Sequence, residues 1–203
     1  VTLSAVGVAG GGAASAAAPQ IARNALATEI SSEADLAVSA YDRYVATGDL
    51  ADYLHYAAER AATARLAARE LGYNEFAMID AWRTTPLDHQ RAVLAAMSQV
   101  GVPYRRLASA EDQGFDCSGL TSYAWRQAGV EIARQSGSQI KAAEKLTRET
   151  AEAGDLVYYP GHVMMYLGVG DAVVHSVQTG RSVEVDVISG RRRNSVRWGD
   201  PTH

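Results

Sequence analysis

The apolar and polar positions of this chain change period along its length. From Pro19 to Gly72 the pattern is helical. Ala57, Ala61, Ala64, Ala68 and Leu71 recur at three- and four-residue spacing, with Arg60, Arg65, Arg69 and Glu70 supplying charge around the stripe. Gly72 is the expected C-terminal cap. An earlier helix is expected from about Glu33 to Val45, with Leu36, Tyr41, Tyr44 and Val45 as its apolar positions and Thr47-Gly48-Asp49 as the turn that follows. The pair reads as a helical hairpin with an alanine-rich seam. Such a seam buries little area per residue, so the hairpin needs a surface to pack on: the rest of the chain, a second copy or a protein partner. Tyr41, Tyr44, Tyr53 and Tyr56 are its candidate anchors. Tyr73 to Thr85 reads as a connector with one helical turn around Phe76 to Trp82. Pro86 then opens a helix whose buried side is Ala92, Val93, Ala96, Met97 and Val100.

After Gly101 the pattern turns to loops, one more helix and then short β-rich runs: Leu156 to Tyr159, Val163 to Leu167, Ala172 to Ser176 and Val183 to Val187. Gly168-Val169-Gly170-Asp171 and Thr179-Gly180-Arg181 separate the last three as hairpin turns. Helices first and consecutive antiparallel strands afterwards predict an α+β domain. The expected organisation is a segment over residues 1–18, the hairpin and connector over 19–85, and a second domain over 86–203. Val1 to Ala18 is uncharged, small and apolar, and reads equally as the apolar part of a secretory signal or as a flexible linker.

Composition narrows this picture. Of the 203 residues, 47% are apolar, enough for a real core. A formal net charge of −4 gives no reason to expect a nucleic-acid partner, and no apolar run is long enough for a transmembrane segment. The single cysteine rules out an internal disulfide and leaves either a buried small hydrophobe or a reactive thiol.

The neighbours of that cysteine favour the thiol. Cys117 lies in Gly114-Phe115-Asp116-Cys117-Ser118-Gly119-Leu120, and Leu120, Tyr123, Ala124 and Gln127 then fall on one helical face. Cys117 is therefore expected in the first turn of a helix, where unpaired N–H groups and the dipole favour thiolate and lower the cysteine pKa. A thiolate nucleophile needs a base. His162 begins one β run, His175 ends the next, and antiparallel pairing brings the two to the same end of a hairpin, where one can orient the other. His55, His89 and His203 read as solvated. One cysteine and two histidines can bind zinc, but no two of them stand in C-x-x-C or H-x-x-x-H spacing, so neither a metal nor a cofactor is expected.

These residues carry a resemblance. Gly114 to Leu120, then Gly154-Asp155-Leu156-Val157-Tyr158-Tyr159, then His162 to Gly168, then His175, resembles the NlpC/p60 family of cysteine peptidases. Gly101-Val102-Pro103-Tyr104 is similar to the element that precedes the family's nucleophile, and Arg134 to Gln139 to the segment between helix and sheet. The resemblance spans about Leu87 to Val187 and leaves the hairpin out. It implies a papain-like domain, with helices packed on an antiparallel sheet, that cleaves peptidoglycan stem peptides, commonly between D-glutamate and a diamino acid. It also implies a protein secreted to, or associated with, the bacterial cell wall. By position, Cys117 would be the nucleophile, His162 the general base and His175 its orienting partner. Tyr104 would border the cleft, and Asp116 and Ser118 would contact substrate. Two departures stand out: Arg105-Arg106-Leu107 replaces a Trp-Gly-Gly run, and the turn before His175 is about one residue longer than usual. Arg105 and Arg106 are candidate binders of substrate carboxylates, on a par with a solvated basic loop, whereas Arg191-Arg192-Arg193 reads as solvated. Two alternatives stay open: a non-catalytic wall-binding or scaffold protein on the same fold, and a papain-like acyltransferase.

Overall fold

The computed structural model describes residues 24–202, so the signal-like segment and His203 lie outside the described residues. Four helices come first: α1 (Ala27–Thr47), α2 (Leu50–Leu71), α3 (Glu75–Thr84) and α4 (Leu87–Met97). A two-stranded ribbon of β1 (Ser109–Ala110) and β2 (Gly114–Phe115) leads into α5 (Cys117–Gln127) and then α6 (Ser136–Ala142). The remaining strands are β3 (Glu144–Leu146), β4 (Leu156–Tyr159), β5 (His162–Tyr166), β6 (Ala172–Ser176), β7 (Val183–Val187) and β8 (Arg197–Asp200). They form one antiparallel sheet in the order β3-β8-β4-β5-β6-β7. The α+β expectation holds, with a wider sheet than the four β runs suggest.

The sheet alternates as a two-faced surface should. Val163, Met165, Val174 and Val185 point to the main core, shared with α4 and α5. Val157, Met164, Tyr166, Val173 and Trp198 form a second, smaller cluster on the other face. His162 and His175 share the parity of the second set.

The hairpin forms, but its apolar stripes differ from the expected ones. On α1 the buried positions are Ala27, Ile30, Ala34, Ala37 and Ala40, while Leu36 and Val45 are exposed. On α2 they are Tyr56, Arg60, Thr63, Ala64, Ala67 and Ala68, with Ala57 and Ala61 only half-buried. Alanines fill most of the buried positions of the two helices, with Ile30, Tyr56 and Arg60 the large exceptions, while Leu36 and Val45 are left outside. The connector is also more ordered than one turn: α3 spans ten residues, with the Asn74 side chain accepting the Ala77 N–H as its cap.

The hairpin packs on the rest of the chain. Fully buried Tyr56 donates to Gln90 Oε1 on α4 at 2.6 Å, and buried Arg60 donates to the same oxygen. Trp82 Nε1 donates to the Leu167 carbonyl at 2.9 Å, and Tyr73 Oη accepts from the Asp171 N–H. The Asn24 amide donates to the Val185 carbonyl and accepts from its N–H, both at 2.9 Å, covering the open edge of β7 as another strand would. Hairpin and sheet therefore share one core. Tyr56→Ala should destabilise the whole chain by about 3–5 kcal/mol in urea unfolding, the scale of a deleted buried aromatic. A loss under about 1 kcal/mol would mean that the hairpin is a loosely attached arm.

Candidate active site

Asp116 ends the ribbon and caps α5, its Oδ1 accepting the Gly119 N–H at 2.7 Å. Cys117 is thereby the first helical residue. Gly119 is required here by space: a Cβ would lie 2.0 Å from the Ala108 carbonyl oxygen. That carbonyl also accepts from the Asp116 N–H and from Arg134. Arg134 grips Asp116 through both oxygens at 2.9 Å and donates to Ser118 Oγ at 3.0 Å. Buried Gln139 bonds Thr121 Oγ1 and the carbonyls of Ser118 and Ala133. Arg134 and Gln139 thus hold the first turn of α5, a role the sequence marks only by the family-like segment around them.

The thiol of Cys117 faces the backbone N–H of Val163, one residue from His162, together with the N–H groups of Ser118 and of Cys117 itself. The net effect on its pKa reverses the expected direction. Burial pushes the thiol up and the Asp116 charge adds to that, outweighing the three N–H groups that pull it down. The resting cysteine is a neutral thiol.

His162 and His175 come together as their strand-end positions suggest. Pro160-Gly161 turns β4 into β5, with Gly161 at φ 89°, and pairs Tyr159 with His162. His162 Nε2 lies 2.7 Å from His175 Nδ1, and both rings are buried. Burial, with the electrostatic effect of the neighbouring His175, depresses the His162 pKa from 6.5 to about 3. His162 is therefore a neutral imidazole at ordinary pH and free to accept a proton.

A cavity of about 450 Å³ opens over the thiol, lined by Tyr104, Arg106, Leu107, Asp116, Cys117, Ser118, Arg134 and Gly161 among others. Arg105 does not line it. Its stem lies across Gly114 instead. Asp116 faces the cavity with both oxygens already engaged, by Arg134 and by its own capping bond. Leu107 is 80% exposed at the rim with φ 60°, a left-handed conformation costly for a leucine. Burial raises the Tyr104 phenol pKa.

His89 contradicts its solvated reading. It is only 4% exposed and sits edge-on to Trp125, with Asp88 Oδ1 at 3.1 Å, Asp155 Oδ1 at 3.4 Å and Asp200 Oδ1 at 3.6 Å. Burial pushes its pKa down, but Asp155 and Asp88 push it up by more, so the net shift is upward. Among the described residues, His89, Asp155 and Asp200 are the one group close enough to share a metal ion; Cys117, His162 and His175 are not such a group. Arg191–Arg193 are exposed, as the solvated reading expects, and two of them also make contacts. Arg192 lies 4.4 Å over the Tyr159 ring and Arg193 pairs with Asp171.

A thiol at a capped helix N-terminus, beside a strand whose first residue, His162, is hydrogen-bonded to His175 on the next strand, matches the Cys, His, His order in the sequence. The sequence profile of the NlpC/P60 family matches residues 101–199. The chain carries an NlpC/P60 domain. Its curated relatives include the peptidoglycan endopeptidase RipB of Mycobacterium tuberculosis, 39% identical over 102 residues that cover 42% of each chain. They also include the gamma-D-glutamyl-L-lysine dipeptidyl-peptidase of Bacillus cereus, 35% identical over 94 residues that cover 42% of this chain and 28% of the relative. The chain spans less than half the length of these relatives. A solved NlpC/P60 family protein from Bacillus cereus superposes with a TM-score of 0.51 at 26% identity, over 55% of this chain and 39% of that one.

Proposed function

We propose that this NlpC/P60 domain is a peptidoglycan hydrolase, an endopeptidase cutting stem-peptide bonds between D-glutamate and a diamino acid at the cell wall. The observation that carries the proposal is the 2.7 Å His162–His175 bond at the end of the strand whose next N–H meets the Cys117 thiol. In this reading Cys117 is the nucleophile, His162 the general base and His175 its orienting partner. The thiol attacks the scissile carbonyl as His162 takes its proton, forming a tetrahedral oxyanion. The Cys117 and Ser118 N–H groups, which lack intrahelical partners at the start of α5, are positioned to receive that oxyanion. Collapse breaks the C–N bond, the amine leaves with the proton held by His162, and a thioester remains. Water, deprotonated by His162, then hydrolyses the thioester and restores the thiol.

Arg106 and Arg134 place cationic groups around the Cys117 cavity, which suits a stem peptide with free carboxylates. The names of the relatives support the substrate class and, for the Bacillus cereus enzyme, the D-glutamyl bond. No helix among the described residues is long and apolar enough to cross a membrane.

Incubation with purified muropeptides, read by mass spectrometry, tests the proposal. The expected products are a fragment ending in D-glutamate and one with a newly freed diamino-acid amine. Binding to walls without cleavage would instead favour the scaffold reading, and transfer of the acyl group to an added amine the acyltransferase.

A further inference from the structure

We propose that Asp186 is a positioning residue for this chemistry: through His175 it fixes which nitrogen of His162 carries the proton. The inference rests on the reading of Cys117 and His162 as nucleophile and base.

The 2.7 Å contact between His162 Nε2 and His175 Nδ1 needs one donor and one acceptor. Two arrangements satisfy it. In one, His162 donates from Nε2, which leaves Nδ1 with a lone pair that can take the thiol proton. In the other, His175 donates from Nδ1, His162 holds its own proton on Nδ1, and no base faces the thiol. The bond itself does not choose between them. The choice is made at the far nitrogen of His175, protonated in the first arrangement and bare in the second.

That nitrogen, His175 Nε2, is buried without a hydrogen-bond partner among the described residues. The anion it faces is Asp186 Oδ2, at 3.6 Å. A carboxylate there attracts an N–H and repels a lone pair, so it favours the productive arrangement. The strand register makes the placement. His175 pairs with Glu184 and Val173 with Asp186, so all four point to one face, with Asp186 diagonal to His175. Glu184 is nearer in register but committed, ion-paired with Arg181 and accepting from Ser182. The Val187 N–H, at 2.7 Å, holds the other oxygen of Asp186 and leaves Oδ2 for His175.

The surrounding charges keep Asp186 ionised. The His175 side chain in front of it is the main cause that holds its pKa below the usual carboxylate range; burial opposes, and the Val187 N–H and Arg181 assist. Arg192 shares the 210 Å³ cavity that His175 and Asp186 line, but it lies over the Tyr159 ring. Once His162 has taken the thiol proton, Asp186 also stabilises the new positive charge of the histidine pair. The run Val183-Glu184-Val185-Asp186-Val187 reads as plain alternating strand, so nothing in it singles Asp186 out.

The test combines ring-nitrogen NMR of the ¹⁵N-histidine-labelled full chain with kcat and KM on a soluble muropeptide. The side chain of Asp186 is 46% exposed, so its variants are expected to fold, and Asp186→Ser serves if Asp186→Ala does not. In the wild type His175 should be the Nε2–H tautomer. Asp186→Asn keeps an acceptor but loses the charge, and should keep the tautomer while kcat falls about tenfold. Asp186→Ala loses both. It should shift the tautomer and lower kcat by about 30–100-fold, with KM within about twofold. Retention of the Nε2–H tautomer in Asp186→Ala overturns the proposal, and so does a kcat for that variant within about twofold of wild type. The NMR arm needs no substrate. A wild type that cleaves no muropeptide therefore counts against the hydrolase reading, while the tautomer alone still decides the role of Asp186.

Discussion

Cys117→Ala should abolish hydrolysis, to below about 10⁻⁴ of the wild-type kcat, while the protein stays folded. The side chain is a small, half-buried group at the first position of α5, and alanine suits that position. What it cannot supply is an ionisable sulfur. Cys117→Ser should be almost as inactive, because an alcohol gives up its proton far less readily than a thiol and His162 is a weak base at a pKa of about 3. Because Cys117 is the one cysteine in the sequence, alkylation reports on it alone. Burial holds it as a neutral thiol, so iodoacetamide should react slowly at pH 7 and faster at alkaline pH. Muropeptide turnover by purified Cys117→Ala above that background would remove cysteine chemistry from the account.

The parts of this site that were legible in the sequence are those set by local pattern. The limits of β4, β6 and β7 coincide with their β-rich runs, because alternating or continuous apolar side chains bounded by glycine turns leave a strand little choice. Cys117 could be placed at a helix start because Asp116, Ser118 and Gly119 precede a clear helical face. What stayed hidden depends on partners far along the chain. Strands β3 and β8 are short and carry no clear period, and they exist through their pairing with each other and with β4. His89 reads as solvated from its helix, and is buried because Trp125 packs on its ring and Asp155, just before β4, and Asp200, on β8, reach its far nitrogen. The alanines that pack α1 against α2 are chosen by closeness of approach, which composition alone does not rank against Leu36 or Val45. The thiol pKa went the wrong way for the same reason. The helix N-terminus is visible in sequence, whereas the protein that covers the sulfur is not.

His162→Ala should cost about 10²–10⁴-fold in kcat, and His175→Ala less, since the first removes the proton acceptor and the second only its orientation. The reverse order would exchange the two roles. The depressed pKa of His162 adds two consequences for pH. For catalysis, the base form persists down to about pH 3, so the acid limb of kcat/KM should fall well below the 6.5 of a free histidine. For stability, the folded pKa lies below the unfolded one, so the unfolded chain binds this proton more readily as the pH drops. The contribution of neutral His162 is complete above pH 6.5 and is lost as the pH falls from 6.5 towards 3. At about 1.4 kcal/mol per pH unit, the loss between pH 6.5 and pH 4 is about 3 kcal/mol. His162→Gln cannot titrate, so its stability should decline less steeply over that interval. Urea unfolding of wild type and His162→Gln at pH 7, 5.5 and 4 measures the difference. Parallel slopes in the two proteins would show that the imidazole is solvated, and that burial does not set its pKa.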